Sequence, residues 1–291
     1  MPDFGIMRGF NDKLFGDKLV AGQLPTQLGL IGSLNISPLL LDAFPNAAAA
    51  YSLRKLRDLY TGSAIRVRRS SDNTEQNIGF VSGNLDTTAL TSFCSGTNGF
   101  VTTWYDQSGN AYNATQTTAS NQAQIVSSGS VLVDANNKPQ LTLGSNRLFN
   151  VDTSLTINQP LTPIAVAQPV QSAAFEFLFD STGSNRITTF SFTDQKPAIF
   201  AGITLTGSST HTRAQHLYFS IYNTTNSFLF LDNVQVISGN AGVNNYGNIT
   251  LGFPGGGSSI GKCSEYIFYP SNQSANRLGI QTNINTYYAI Y

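Results

Sequence analysis

The residues able to act as acids, bases, nucleophiles or metal ligands are few and scattered: sixteen Asp and Glu, two His and two Cys in 291 residues. His211 and His216 stand five apart with no Glu or Cys at a zinc-binding spacing. Neither a metal centre nor a catalytic triad is therefore built on them, and both are expected on strand surfaces. Cys94 and Cys263 allow at most one bridge and read as two free thiols. Asp106, Gln107 and Asn110 offer oxygen ligands in a Gly-containing loop, which suits Ca²⁺ or an Asp bracing its own loop; no metal is assigned. In the β-rich half, Glu176, Asp180, Asp194, Asp232 and Glu265 are the acids available to a hydrolytic pair. Glu176 alternates with Phe175 and Phe177, so it is expected to face solvent. Asp180, Asp194 and Asp232 adjoin turn residues, where carboxylates bond the backbone. Exposed aromatics such as Trp104, Tyr105, Tyr112, Tyr246 or Phe253 would stack on sugar rings, although core packing competes for Trp104 and Tyr105.

Composition narrows the function classes. Charged residues make up 11% of the chain, against about 25% in an average soluble domain. Sixteen cations balance sixteen anions, leaving no field to attract nucleic acid or an anionic membrane. The cations clustered from Arg54 to Arg69 have acidic neighbours and no interleaved aromatics, the pattern of a solvated face. The apolar runs fall short of the roughly 20 residues that span a bilayer. Gly255 to Ser259 is not a phosphate loop, because no Lys-Ser/Thr follows it. No cofactor is implied.

These residues must be positioned by strands. Residues 1–36 scatter Gly among Phe, Leu and Ile without a period and read as an arm, with residues 37–291 as the domain. The start lacks the marks of a secretory signal, which predicts a protein kept in the cytosol until assembly. From Ala47 to Tyr60, strong helix formers with Ala49, Leu53, Leu56 and Tyr60 at three- and four-residue steps predict a helix stopped by Gly62. The runs Ile65–Arg68, Phe100–Tyr105, Phe175–Phe179, Leu217–Tyr222, Phe228–Leu231 and Glu265–Tyr269 are β-branched or aromatic and bounded by turn residues. They predict an all-β, antiparallel jelly-roll sandwich, closed by a helix between Gln273 and Tyr288.

Several segments carry a resemblance: Ala50-Tyr51-Ser52-Leu53-Arg54, Arg68-Arg69-Ser70-Ser71-Asp72, Phe93-Cys94, and above all Trp104-Tyr105-Asp106-Gln107-Ser108-Gly109-Asn110 followed by Ala114-Thr115-Gln116. The chain resembles the catalytic domain of α-L-arabinofuranosidases of the B type, from about residue 46 onward, with a concanavalin A-like and laminin-G-like sandwich implied. The resemblance also implies a bridge from Cys94 to the position of Gly99, which has no thiol here. It implies a nucleophilic Glu five residues after the Phe179-Asp180 pair, where Asn185 stands. It implies an acid/base Asp after Thr250-Leu251-Gly252-Phe253-Pro254-Gly255, where Gly256 stands. Retaining hydrolysis uses two carboxyls about 5 Å apart, so a non-catalytic domain is expected, with no catalytic residue assigned.

The resulting expectation is a bacteriophage virion structural protein, not an enzyme: a capsid decoration or tail-fibre component assembled in the host cytoplasm. Its arm would bind other virion proteins as part of a homotrimer or another closed homo-oligomer. Host-surface glycan would meet Trp104, Tyr105, Asp106, Tyr112, Asp180, Asn185 and Tyr246. The alternatives are an active arabinofuranosidase-like hydrolase and a cytosolic lectin-like carbohydrate-binding module.

Overall fold

The structure, a computed structural model, describes residues 38–291 apart from 144–148, 170–174, 182–184, 193, 253–257 and 260. The 1–36 arm, Phe253 and Gly256 lie outside the described residues. One helical turn, α1 (Leu40–Ala43), precedes strands β1 (Ala49–Ser52) and β2 (Ile65–Arg69). Helix α2 (Thr87–Phe93) starts at Asp86, whose carboxylate accepts from Ala89 N at 2.9 Å, an N-cap. Strands β3 (Gly99–Trp104), β4 (Ala123–Ser127), β5 (Leu141–Thr142) and β6 (Thr162–Gln168) follow. The second half adds β7 (Phe175–Ser181), β8 (Thr188–Phe192), β9 (Pro197–Phe200), β10 (His216–Ile221) and β11 (Ser227–Leu231). It ends with β12 (Ile249–Leu251), β13 (Lys262–Tyr269) and helix α3 (Arg277–Tyr288).

Pairing is almost wholly antiparallel and builds two facing layers. In the first, β1 pairs with β13, β13 with β6, β6 with β10 and β10 with β11. In the second, β2 pairs with β3, and two short strands lead from β3 to β12, which pairs with β7; β8 and β9 then extend the edge. Aromatics from both layers fill the space between them. Trp104 meets Tyr51, Phe149 and Tyr266 at ring-centre distances of 6.1, 5.9 and 6.0 Å, and Phe179 meets Phe268 at 5.7 Å. Trimming such a ring to Ala costs about 3–5 kcal/mol. The sandwich expected from the strand pattern is therefore present.

The first layer is buried on its other side as well. Ala165, Tyr266 and Phe268 point into the sandwich, while Ile164, Val166, Phe219 and Ile267 pack under α1 and α3, against Leu40, Ile280 and Ile284. This double burial explains the correction in the first half. The helix predicted over Ala47 to Tyr60 is absent; Ala49–Ser52 is β1, buried along its whole length and paired with the middle of β13. A strand covered on both faces loses the period-two alternation that distinguishes it from a helix, and sheet pairing overrides the helical propensity of Ala and Leu. Arg54, expected on a polar helix face, is likewise buried.

Candidate active site

The strongest sequence motif turns out to be a brace. Asp106 follows β3, and its Oδ1 accepts from Ala50 N at 2.8 Å and Ser108 N at 2.9 Å. Its Oδ2 accepts from Ser108 Oγ at 2.7 Å and Tyr112 N at 3.0 Å, which leaves no lone pair for calcium. Gln107 accepts from Leu56 N at 2.8 Å and donates to Ser52 O and Arg54 O at 3.0 and 3.1 Å, so the loop holds the chain leaving β1. Of the aromatics expected to meet sugar, Trp104 and Tyr246 are wholly buried and have no open face. Tyr105 donates to Asn77 Oδ1 at 2.9 Å, and Tyr112 gives its carbonyl to the Tyr51 hydroxyl. Glu265 is also structural: both of its oxygens bind the Arg54 guanidinium, at 2.8 and 3.1 Å, and Ser52 Oγ donates to it at 2.7 Å.

Asp180 differs. It stands near the end of β7, 2% exposed, with Arg186 Nε and Nη2 on its two oxygens at 2.6 and 2.7 Å. Burial raises its pKa above the ordinary carboxylate value, and the Arg186 bonds and charge oppose that rise. The Arg186 side chain is one-third exposed and lies 5.1 Å from the Phe177 ring centre, so this ion pair reaches the surface. Thr250 of β12 sits directly opposite Asp180. The two segments in which the resemblance implies the catalytic acids therefore run side by side. Asn185 is exposed, and its carbonyl accepts from Ser181 Oγ at 3.4 Å.

Two further expectations are corrected near this strand. Glu176, expected in solvent, is 4% exposed and lies opposite Ser191 of β8. Alternation holds through Phe175, Glu176 and Phe177, but the phenylalanines pack with Phe190 and Phe192 in a cluster of their own, and Glu176 takes the other, buried side. His211 and His216, expected on strand surfaces, are each 6% exposed. His211 Nδ1 bonds the Thr212 carbonyl at 2.8 Å, which fixes Nε2 as the acceptor from Ser191 Oγ at 2.8 Å. His216 Nδ1 meets Asp232 Oδ2 at 2.5 Å, and the two imidazoles lie 5.3 Å apart. Burial lowers the His211 pKa. Tyr218 is buried and its pKa is raised, by burial first and then by the charges of Asp232 and Glu176. Hydropathy alternation gave no sign of this cluster. The one available signal was that two histidines and Asp232 all fall within or beside the same strand hairpin.

Both cysteines are free and buried. A Cβ on Gly99 would lie 2.8 Å from Cys94 Sγ, so the spacing at which the resemblance implies a bridge is preserved in space.

The family model described as "Alpha-L-arabinofuranosidase B, catalytic" matches residues 42–197, just over half of the chain. The chain belongs to this family. Among solved structures, a mutant GH54 α-L-arabinofuranosidase soaked with 4-nitrophenyl α-L-arabinofuranoside superposes with TM-score 0.68 at 18% identity, over 84% of this chain and 64% of that one. An arabinofuranosidase complexed with arabinofuranosyl-α-1,2-xylobiose gives TM-score 0.66 at 20% identity over the same shares. At these identities the likeness establishes the fold, and the chain spans less than two thirds of the solved arabinofuranosidases it matches. No curated protein sequence matches.

These matches overturn the expectation of a non-enzymatic virion component. The family and the fold neighbours are arabinofuranosidases, and nothing in them points to a capsid or tail fibre. The family pattern over residues 42–197 outweighs the two local substitutions at Asn185 and Gly256.

Proposed function

We propose that this domain is a glycoside hydrolase acting on terminal α-L-arabinofuranosyl groups, with its site at the Asp180 end of β7. The family match over residues 42–197, whose last third contains β7, carries the reading. Glycoside hydrolysis needs one carboxyl to protonate the departing oxygen and another to meet the anomeric centre directly or through water. Asp180 suits the proton-transfer role, since burial raises its pKa while Arg186 orients both oxygens. Glu176, four residues back on the same strand and so roughly 13 Å away, is too far to be its partner, and this reading assigns no second acid among the described residues. Asn185 and Gly256, neutral where the resemblance implies carboxylates, take no part in proton transfer; the exposed Asn185 amide suits hydrogen bonding to a sugar hydroxyl.

The test is release of 4-nitrophenol from 4-nitrophenyl α-L-arabinofuranoside. Turnover by the wild type is expected to fall about 10²–10⁴-fold in Asp180→Asn, with unchanged circular dichroism. No release by the wild type sinks the hydrolase. Release that survives Asp180→Asn removes that acid from the reaction.

A further inference from the structure

The turn from Val133 to Pro139 is closed by a bridge between its two ends, and it borders a cleft of about 270 Å³ away from β7. The cleft is lined by Asp134, Asn136, Gln168, Gln215 and Lys262, with Ile290 on its apolar side. Asp134 is 9% exposed; its Oδ1 accepts from Asn136 N and Lys138 N at 2.8 Å each, which shapes the turn. Asp134 Oδ2 has no partner. Gln140, 1% exposed, donates to Gln215 Oε1 at 3.4 Å, leaving Gln140 Oε1 and Gln215 Nε2 without partners. Exchanging O and N in both amides still leaves one donor and one acceptor unmatched. Among the described residues, two of the seven buried side-chain atoms lacking a hydrogen bond, Asp134 Oδ2 and Gln215 Nε2, belong to residues lining this cleft, and a third, Gln140 Oε1, belongs to the amide bonded to Gln215. Each such atom costs about 1–3 kcal/mol unless something binds it, so the grouping points to an absent partner rather than to chance.

The chemistry of that partner follows from the lining. One ammonium and one carboxylate line the cleft, so the site carries both signs and no net field. Phosphate would be repelled by Asp134, and an amine by Lys262. A molecule offering alternating donors and acceptors without charge satisfies all of these groups. We propose that this cleft binds a neutral sugar residue of a glycan, as a second carbohydrate site separate from the Asp180 end of β7 and independent of whether the domain hydrolyses anything.

The experiment is a titration of the ¹⁵N-labelled full chain, wild type and Asp180→Asn, with arabinofuranosyl-α-1,2-xylobiose and, separately, inorganic phosphate. The amides of Ala135 to Lys138 and of Lys262 are expected to shift with the sugar in both proteins. Lys262→Met and Asp134→Asn should each weaken that response about tenfold, the loss of one hydrogen bond to a charged group. Lys262→Met is the decisive variant should Asp134→Asn disturb the turn. Absence of these shifts overturns the proposal, as does sugar binding that Lys262→Met leaves untouched. Shifts with phosphate and none with sugar overturn the assignment to a neutral ligand.

Discussion

Asp106 and Asp180 are both buried aspartates whose pKa is raised by burial, yet their surroundings assign them opposite tasks. Around Asp106 the donors are three backbone N–H groups and one hydroxyl, all fixed within the fold. Around Asp180 the principal donor is the guanidinium of Arg186, on a side chain that reaches solvent. An acid saturated by backbone holds the chain in shape. An acid held by a partly exposed cation can exchange that partner for a substrate. The kind of partner, more than the depth of burial, separates bracing from chemistry.

Glu265 tests the bracing side of this contrast most severely. Arg54→Met leaves its buried charge without a counterion and should destabilise the domain by about 3–5 kcal/mol, read as a shift in the urea midpoint. Asp106→Ala strands several backbone donors and should cost about 2–4 kcal/mol. Asp180→Asn should lower turnover while moving stability by less than about 1 kcal/mol; a loss as large as that of Asp106→Ala would place Asp180 among the braces.

His211 gives a smaller, pH-dependent effect. Its pKa is lowered in the folded protein from an ordinary value of 6.5, so the unfolded chain binds more protons below that pH. Its contribution is complete above pH 6.5 and declines as the pH falls toward the folded value, by at most about 1.4 kcal/mol per unit. Melting at pH 7 and pH 5 should show this loss, and His211→Gln should reduce it. The smallest effect is expected at Gly99, where Gly99→Cys should form a bridge with Cys94 under oxidation, detected as the loss of two alkylatable thiols by mass spectrometry. Failure to close would mean that the family spacing is not preserved there.

Much of the sandwich was legible in the sequence because strands such as β10 and β11 are aromatic and β-branched runs between turn residues. β1 was not, because burial on both faces erased its period. The Asp106 loop was readable as a loop brace from its residue types. The burial of Glu176 was hidden because the phenylalanines beside it form a cluster of their own, and the His211 cluster by a pairing of strands that local patterning does not encode. Asp180 was visible as half of the Phe179-Asp180 pair, but its ion pair with a residue six positions on depends on how the chain turns back.

Helix α3 covers a sheet face carrying Ile164, Val166, Phe219 and Ile267. In sequence, α3 follows every strand that builds this face, so the face has no cover from α3 until residues 277–288 are made. A nascent chain that stops short of Arg277 would therefore carry a nearly complete sandwich with this apolar face still adhesive.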